Sequence, residues 1–136
     1  MSVSVLIITH GQIGESLLST LTHTLETLPL LVKAIPIHRD DDPDTVKEAL
    51  KLDIADLNKG DGVLILTDMY GSTPGNIANA LFHPNDTQIV SGLNLPMLMR
   101  IMNYPHLSLS ALAEKAISGG VDGIVITPSR ESTRSC

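Results

Sequence analysis

Two polar residues end two apolar runs. His10 follows the run Val3 to Thr9, and Asp68 follows Gly62 to Thr67. An imidazole changes charge near neutral pH and can act as a nucleophile, and a neighbouring carboxylate selects its tautomer. An Asp that accepts the Nδ1 hydrogen bond leaves Nε2 with an exposed lone pair. It also stabilises the positive charge that grows on the ring during attack on phosphorus. Each residue is followed by a glycine-containing turn into a predicted helix: Gly11 after His10, and Gly71-Ser72-Thr73-Pro74 after Asp68. Helix N-termini present free N–H groups and a positive dipole end, which seat phosphate. Gly11, Gly71, Ser72 and Thr73 are therefore the candidate phosphate-binding residues, with the Thr73 hydroxyl as a further donor.

That chemistry requires His10 and Asp68 to be neighbours, so the elements around them decide the matter. Val3–Thr9 is mostly β-branched and apolar, with Ser4 and Thr9 as its hydroxyl residues, which reads as a strand buried on both faces. Ile13, Leu17, Leu18, Leu21 and Leu25 recur at helical spacing between Gln12 and Leu28. Leu30 to Ile37 reads as a second strand. Asp40-Asp41-Asp42-Pro43-Asp44 reads as a turn and helix start, because acids and proline suit a first turn. Val46, Ala49, Leu50, Ile54 and Leu57 mark the face of that helix, which stops before Gly60. Gly62–Thr67 is a third strand. Thr73 is the expected N-cap and Pro74 the expected first residue of a short helix to about Phe82. Thr87–Val90 is a fourth strand, and Leu95–Met102 and Ser108–Ser118 are two helices. Val121–Thr127 is a last strand, set on a Gly119-Gly120 hinge. The polar stretch from Ser129 is expected to be a mobile tail, leaving residues 1–128 as one domain.

The alternation of strands and helices predicts a three-layer α/β/α fold with a mostly parallel sheet. In the strand order 2-1-3-4, strands 1 and 3 are adjacent. Ligands in such sheets bind outside the carboxyl ends of the strands, where the order switches. His10 and Asp68 both fall at that edge.

Composition narrows the partners. The chain has 136 residues, 43% hydrophobic, with no Trp, one Phe and two Tyr, so the core must be aliphatic. A formal net charge of −6 and no Lys/Arg cluster argue against nucleic acid. The single Cys136 cannot form an internal disulfide, which fits a reducing cytoplasm. No run approaches the roughly 18 apolar residues of a membrane span, so no direct membrane insertion is expected. There is no Gly-Lys-Ser/Thr phosphate loop and no Gly-x-Gly-x-x-Gly, so neither a nucleotide nor another cofactor is expected.

A His at a strand end is ordinarily a hydrogen-bonded turn residue; the Asp at the equivalent end of the adjacent strand is what changes the reading. His23, His38, His83 and His106 lack such a partner and read as surface or structural residues. Asp40-Asp41-Asp42 reads as a solvated turn rather than a metal site. Met97, Met99 and Met102 read as packing residues.

Three segments carry a family resemblance: Ile7-Ile8-Thr9-His10-Gly11, Val63 through Asn76 with Thr67-Asp68-Met69-Tyr70-Gly71-Ser72-Thr73-Pro74 at its centre, and Ser91-Gly92-Leu93-Asn94-Leu95-Pro96-Met97-Leu98. The chain resembles the enzyme IIA domain of the mannose-type (mannose/fructose/sorbose) phosphoenolpyruvate-dependent sugar phosphotransferase system, over Val3 to about Thr127. The resemblance implies a transferase component in which His10 accepts a phosphoryl group from the histidine-phosphocarrier protein and donates it to a IIB component. It implies that Asp68 orients His10 and that Thr73 lies by the phosphoryl group. It also implies a homodimer in which the last strand is exchanged between subunits. Ser72 departs from the family, which often has a second glycine there. The chain stops at Cys136 without an Ala/Pro-rich linker, so the IIB component is expected on a separate chain.

Two other readings remain open at this point. One is a regulatory module of an incomplete phosphotransferase system, signalling by His10 phosphorylation. The other is a receiver-like domain phosphorylated on Asp68, although receivers need an acidic pair for Mg²⁺ where Thr9-His10 stands here. Sugar specificity is not legible in the chain.

Overall fold

The computed structural model describes residues 2–128; the expected C-terminal tail lies outside the described residues. Four strands, β1 (Ser4–His10), β2 (Val32–Ile37), β3 (Val63–Thr67) and β4 (Thr87–Ser91), form one parallel sheet in the order β2-β1-β3-β4. Among the described residues five helices surround it: α1 (Ile13–Leu25), α2 (Pro43–Leu57), α3 (Thr73–Ala80), α4 (Leu95–Met102) and α5 (Leu109–Asp122).

The central strands explain the layering. Successive side chains of a strand point to opposite faces, and both faces of β1 and β3 are apolar. Val5, Ile7, Leu64 and Leu66 join Leu21, Leu98, Ile101 and Leu112 in one core, under α1, α4 and α5. Leu6, Ile8, Val63 and Ile65 join Leu50, Leu57, Ile77 and Ala78 in the other, under α2 and α3. Full burial of each such side chain stabilises the fold by about 1.5–3 kcal/mol. The two strands that carry His10 and Asp68 are thus anchored from both sides. β2 is an edge strand, which is why it tolerates Pro36, whose ring removes a ladder donor.

The C-terminal part departs from expectation. Gly119 and Gly120, expected to form a hinge, lie inside α5. Their reason is packing between helices: a Cβ at Gly119 would strike the Arg100 side chain, and one at Gly120 would come within 3.1 Å of Met97 Cε. The predicted strand Val121–Thr127 does not join the sheet of its own chain. Val121 and Asp122 complete α5, and residues 123–128 continue beyond it, exposed and unpaired in the sheet.

Candidate functional site

β1 ends on His10, whose side chain is 47% exposed. The chain then turns through Gly11, at φ +46°, a conformation glycine adopts without steric penalty. The Gly11 N–H donates to the Ile37 carbonyl at 2.9 Å, tying the turn to the end of β2. Buried Thr9 supplies the cap that Gln12 does not: its Oγ1 accepts the Gly14 N–H at 2.8 Å.

Asp68 directly follows β3. Its Oδ2 accepts two hydrogen bonds from His10, one from the backbone N–H at 3.0 Å and one from Nδ1 at 2.8 Å. Its other oxygen, Oδ1, is buried without a partner among the described residues. Burial pushes the Asp68 carboxyl up, but the ring and backbone hydrogen bonds from His10 and the attraction of the ring together hold it below its ordinary value. An ionised carboxylate can only accept, so Nδ1 carries the proton and Nε2 of the neutral ring keeps its lone pair.

α3 starts one residue earlier in its capping than expected. Ser72, not Thr73, is the N-cap: its Oγ accepts the Gly75 N–H at 3.3 Å and donates to the Met69 carbonyl at 2.6 Å. Thr73 is the first helical residue and Pro74 the second. Pro74 has no N–H and that of Gly75 goes to Ser72. Thr73 is therefore the residue of the first turn whose N–H and hydroxyl keep no partner among the described residues.

A cavity of about 630 Å³ opens beside His10, lined by Gly11, Thr73, Pro74 and the β2–α2 turn. The structure thus brings His10, Gly11 and Thr73 to one space, with Asp68 behind the imidazole. Gly71 and Ser72 do not line it, and the Ser72 hydroxyl is committed to its own turn. The sequence reading missed Ile37, His38, Arg39 and Asp41 on the opposite wall. Their signal was available: in the order β2-β1-β3-β4 the loop after β2 must flank the end of β1. Of the other histidines, one differs from expectation in its partner and one reads as the structural residue expected. His83 does have an acidic partner, Asp86 at 3.3 Å, and His23 Nδ1 meets the Ser19 carbonyl at 2.7 Å. Asp42 caps α2 through the Thr45 N–H.

No helix among the described residues is long and apolar enough to cross a membrane. Residues 4–117 match the family described as PTS system fructose IIA component. The chain is 28% identical over 127 residues to the PTS system mannose-specific EIIAB component of Escherichia coli (strain K12), and equally to that of Shigella flexneri. These alignments cover 91% of the chain but only 39% of each relative, so the chain spans about two-fifths of their length. Among solved structures it is similar to a phosphotransferase system component EIIA from Streptococcus agalactiae (TM-score 0.80, 27% identity, 93% of this chain and 98% of that one). The mannose/sorbose specific IIA subunit from Enterococcus faecalis, at 22% identity and TM-score 0.80 over 93% and 95% of the two chains, shares the fold. With its parallel sheet, its strand order and a family match across most of its length, the chain belongs to the mannose/fructose-type IIA components of the sugar phosphotransferase system.

Proposed function

We propose that the protein is a phosphohistidine carrier working in the cytoplasm. Nε2 of His10 accepts a phosphoryl group from the histidine-phosphocarrier protein and passes it to a IIB component. The observation that carries this reading is the 2.8 Å contact between His10 Nδ1 and Asp68 Oδ2 at the carboxyl edge of the sheet. It leaves Nε2 as the nucleophilic nitrogen and supplies a negative charge to the ring as phosphorus is attacked. Thr73 offers its N–H and hydroxyl to the phosphoryl oxygens, and the Gly11 turn, whose own N–H is held by the Ile37 carbonyl, leaves room for them beside the ring.

The receiver reading loses support from the same geometry. The Asp68 side chain is 12% exposed, its Oδ2 is occupied by two N–H donors and its Oδ1 is buried. Neither oxygen is free to attack a phosphoryl donor. The regulatory reading uses the same phosphorylation and differs only in the fate of the phosphoryl group afterwards.

The test is incubation with phosphoenolpyruvate, enzyme I and the histidine-phosphocarrier protein, followed by mass mapping. Label on His10 that is stable to alkali and lost in acid is expected. Label on Asp68, or none, contradicts the proposal. Transfer onward to candidate IIB proteins separates transport from a purely regulatory role.

A further inference from the structure

The cavity has a wall that the His10–Asp68 pair does not use. Ile37, His38, Arg39 and Asp41 of the β2–α2 turn face the same space as His10 and Thr73. His10 and Ile37 are register partners on β1 and β2, and neighbouring strands lie about 4.8 Å apart. Arg39 is two residues beyond that pairing. The sheet order therefore sets Asp68 on the β3 side of His10 and Arg39 on its β2 side.

The turn is held in shape by its own acids. Asp41 Oδ2 accepts the His38 N–H at 2.7 Å, and the Asp41 N–H donates to the His38 carbonyl at 3.1 Å. Asp42 Oδ2 accepts from Thr45 N and Oγ1 at 3.2 and 2.6 Å. Two of the three flanking carboxylates are thus committed to local donors, and Arg39 forms no ion pair among the described residues. In a chain of net charge −6, Arg39 is the one Lys or Arg among the described residues that line this cavity, and it is exposed with no ion-pair partner among them.

We infer that Arg39 binds the phosphoryl oxygens as the group is transferred to Nε2 of His10, an inference that rests on the phosphocarrier reading above. In that step the N–P bond of the donor phosphohistidine breaks and its electron pair returns to the donor ring nitrogen. The Nε2 lone pair of His10 forms the new N–P bond, and the Nδ1 proton stays on the ring, held by Asp68. Negative charge spreads over three equatorial oxygens in between. A planar guanidinium fork matches two of those oxygens at once, which a carboxylate behind the ring cannot do.

The experiment is rapid-quench phosphorylation by phosphorylated histidine-phosphocarrier protein across a range of donor concentrations, for the wild type, Arg39→Ala and Arg39→Lys. Arg39 is exposed and the acids that shape the turn are untouched, so both variants keep the fold. The limiting rate of Arg39→Ala is expected to fall about 10- to 100-fold, less than for a fully enclosed oxyanion donor, with Arg39→Lys between it and the wild type. An unchanged limiting rate overturns the inference, including the case where only the half-saturating donor concentration rises, since that assigns Arg39 to docking. Absence of label on His10 in the wild type fails the phosphocarrier reading instead, and the inference with it.

Discussion

Asp68 Oδ2 receives both N–H groups of His10, the backbone donor at 3.0 Å and Nδ1 at 2.8 Å. One oxygen thus fixes the end of β1 and the orientation and tautomer of its ring. The double contact is possible because β1 and β3 are adjacent and parallel, with Ile8 opposite Thr67, so each chain leaves the sheet at the same edge. A substitution at Asp68 therefore acts on geometry and on charge together. Asp68→Asn keeps an oxygen in place but removes the charge. Phosphorylation of His10 is expected to slow on the order of 10- to 1000-fold, with the phosphate still on His10 at long times. Rapid-quench kinetics with site mapping checks this. Unchanged kinetics would mean that the contact plays no part in transfer.

His10→Ala should abolish phosphorylation and leave the fold in place. The ring is nearly half exposed and belongs to neither core, and the residue 10 backbone N–H remains as a donor to Asp68. A stability loss of about 1 kcal/mol is expected from the lost ring hydrogen bond. Thermal unfolding measures the loss, and residual label at full stoichiometry would show that another residue is the acceptor.

The Asp68 carboxyl titrates below its ordinary value of 3.8 in the folded protein. A group whose folded pKa is depressed stabilises the native state above its unfolded pKa and loses that contribution as pH falls through the folded value. The stability difference between wild type and Asp68→Asn should therefore shrink on acidification below about pH 4. Denaturant midpoints of both proteins across this range test the sign; a difference that grew on acidification would contradict it.

Ser72 is 8% exposed and caps α3 through its hydroxyl. Ser72→Ala should cost about 1 kcal/mol, and Ser72→Gly only a few tenths, since glycine is a tolerated N-cap. Neither substitution should alter His10 phosphorylation by more than a small factor, because the hydroxyl does not line the cavity. Parallel unfolding and labelling measurements separate the cap from a phosphate contact; a large rate loss at unchanged stability would restore Ser72 as a phosphate ligand.

Residues 123–128 expose Ile124 at 79%, Val125 at 68% and Ile126 at 64%, while the outer edge of β4 is unpaired among the described residues. Contiguous apolar exposure beside an open strand edge favours pairing with a second chain. A homodimer with these segments exchanged is the expected solution state. Sedimentation should give twice the 14.5 kDa chain mass at micromolar concentration, and Ile126→Asp should shift it toward the monomer. A wild type that sediments only as a single chain contradicts this.

Features that depend on neighbours along the chain are written in the residues themselves. Apolar runs at Val3–Thr9 and Gly62–Thr67 define strands buried on both faces, and the amphipathic spacing of Val46, Leu50, Ile54 and Leu57 defines α2, because period and burial are local properties. The alternation of these elements also limits the sheet to a few orders. Packing in three dimensions settled the rest. The capping role of Ser72 turns on a hydroxyl geometry that either Ser72 or Thr73 could have supplied from sequence. Gly119-Gly120 looks like a hinge until α4 packs against it, leaving no room for a Cβ at Gly119 and little at Gly120. The segment Val121–Thr127 has strand-like composition, but α5 takes up its first two residues, and residues 123–128 pair with no strand among the described residues. Arg39 carries no local signal, only the topological one that the expected strand order places the loop after β2 beside the end of β1. Its place beside His10 follows only from the hydrogen-bonded pairing of β2 with β1, which joins residues far apart in the chain.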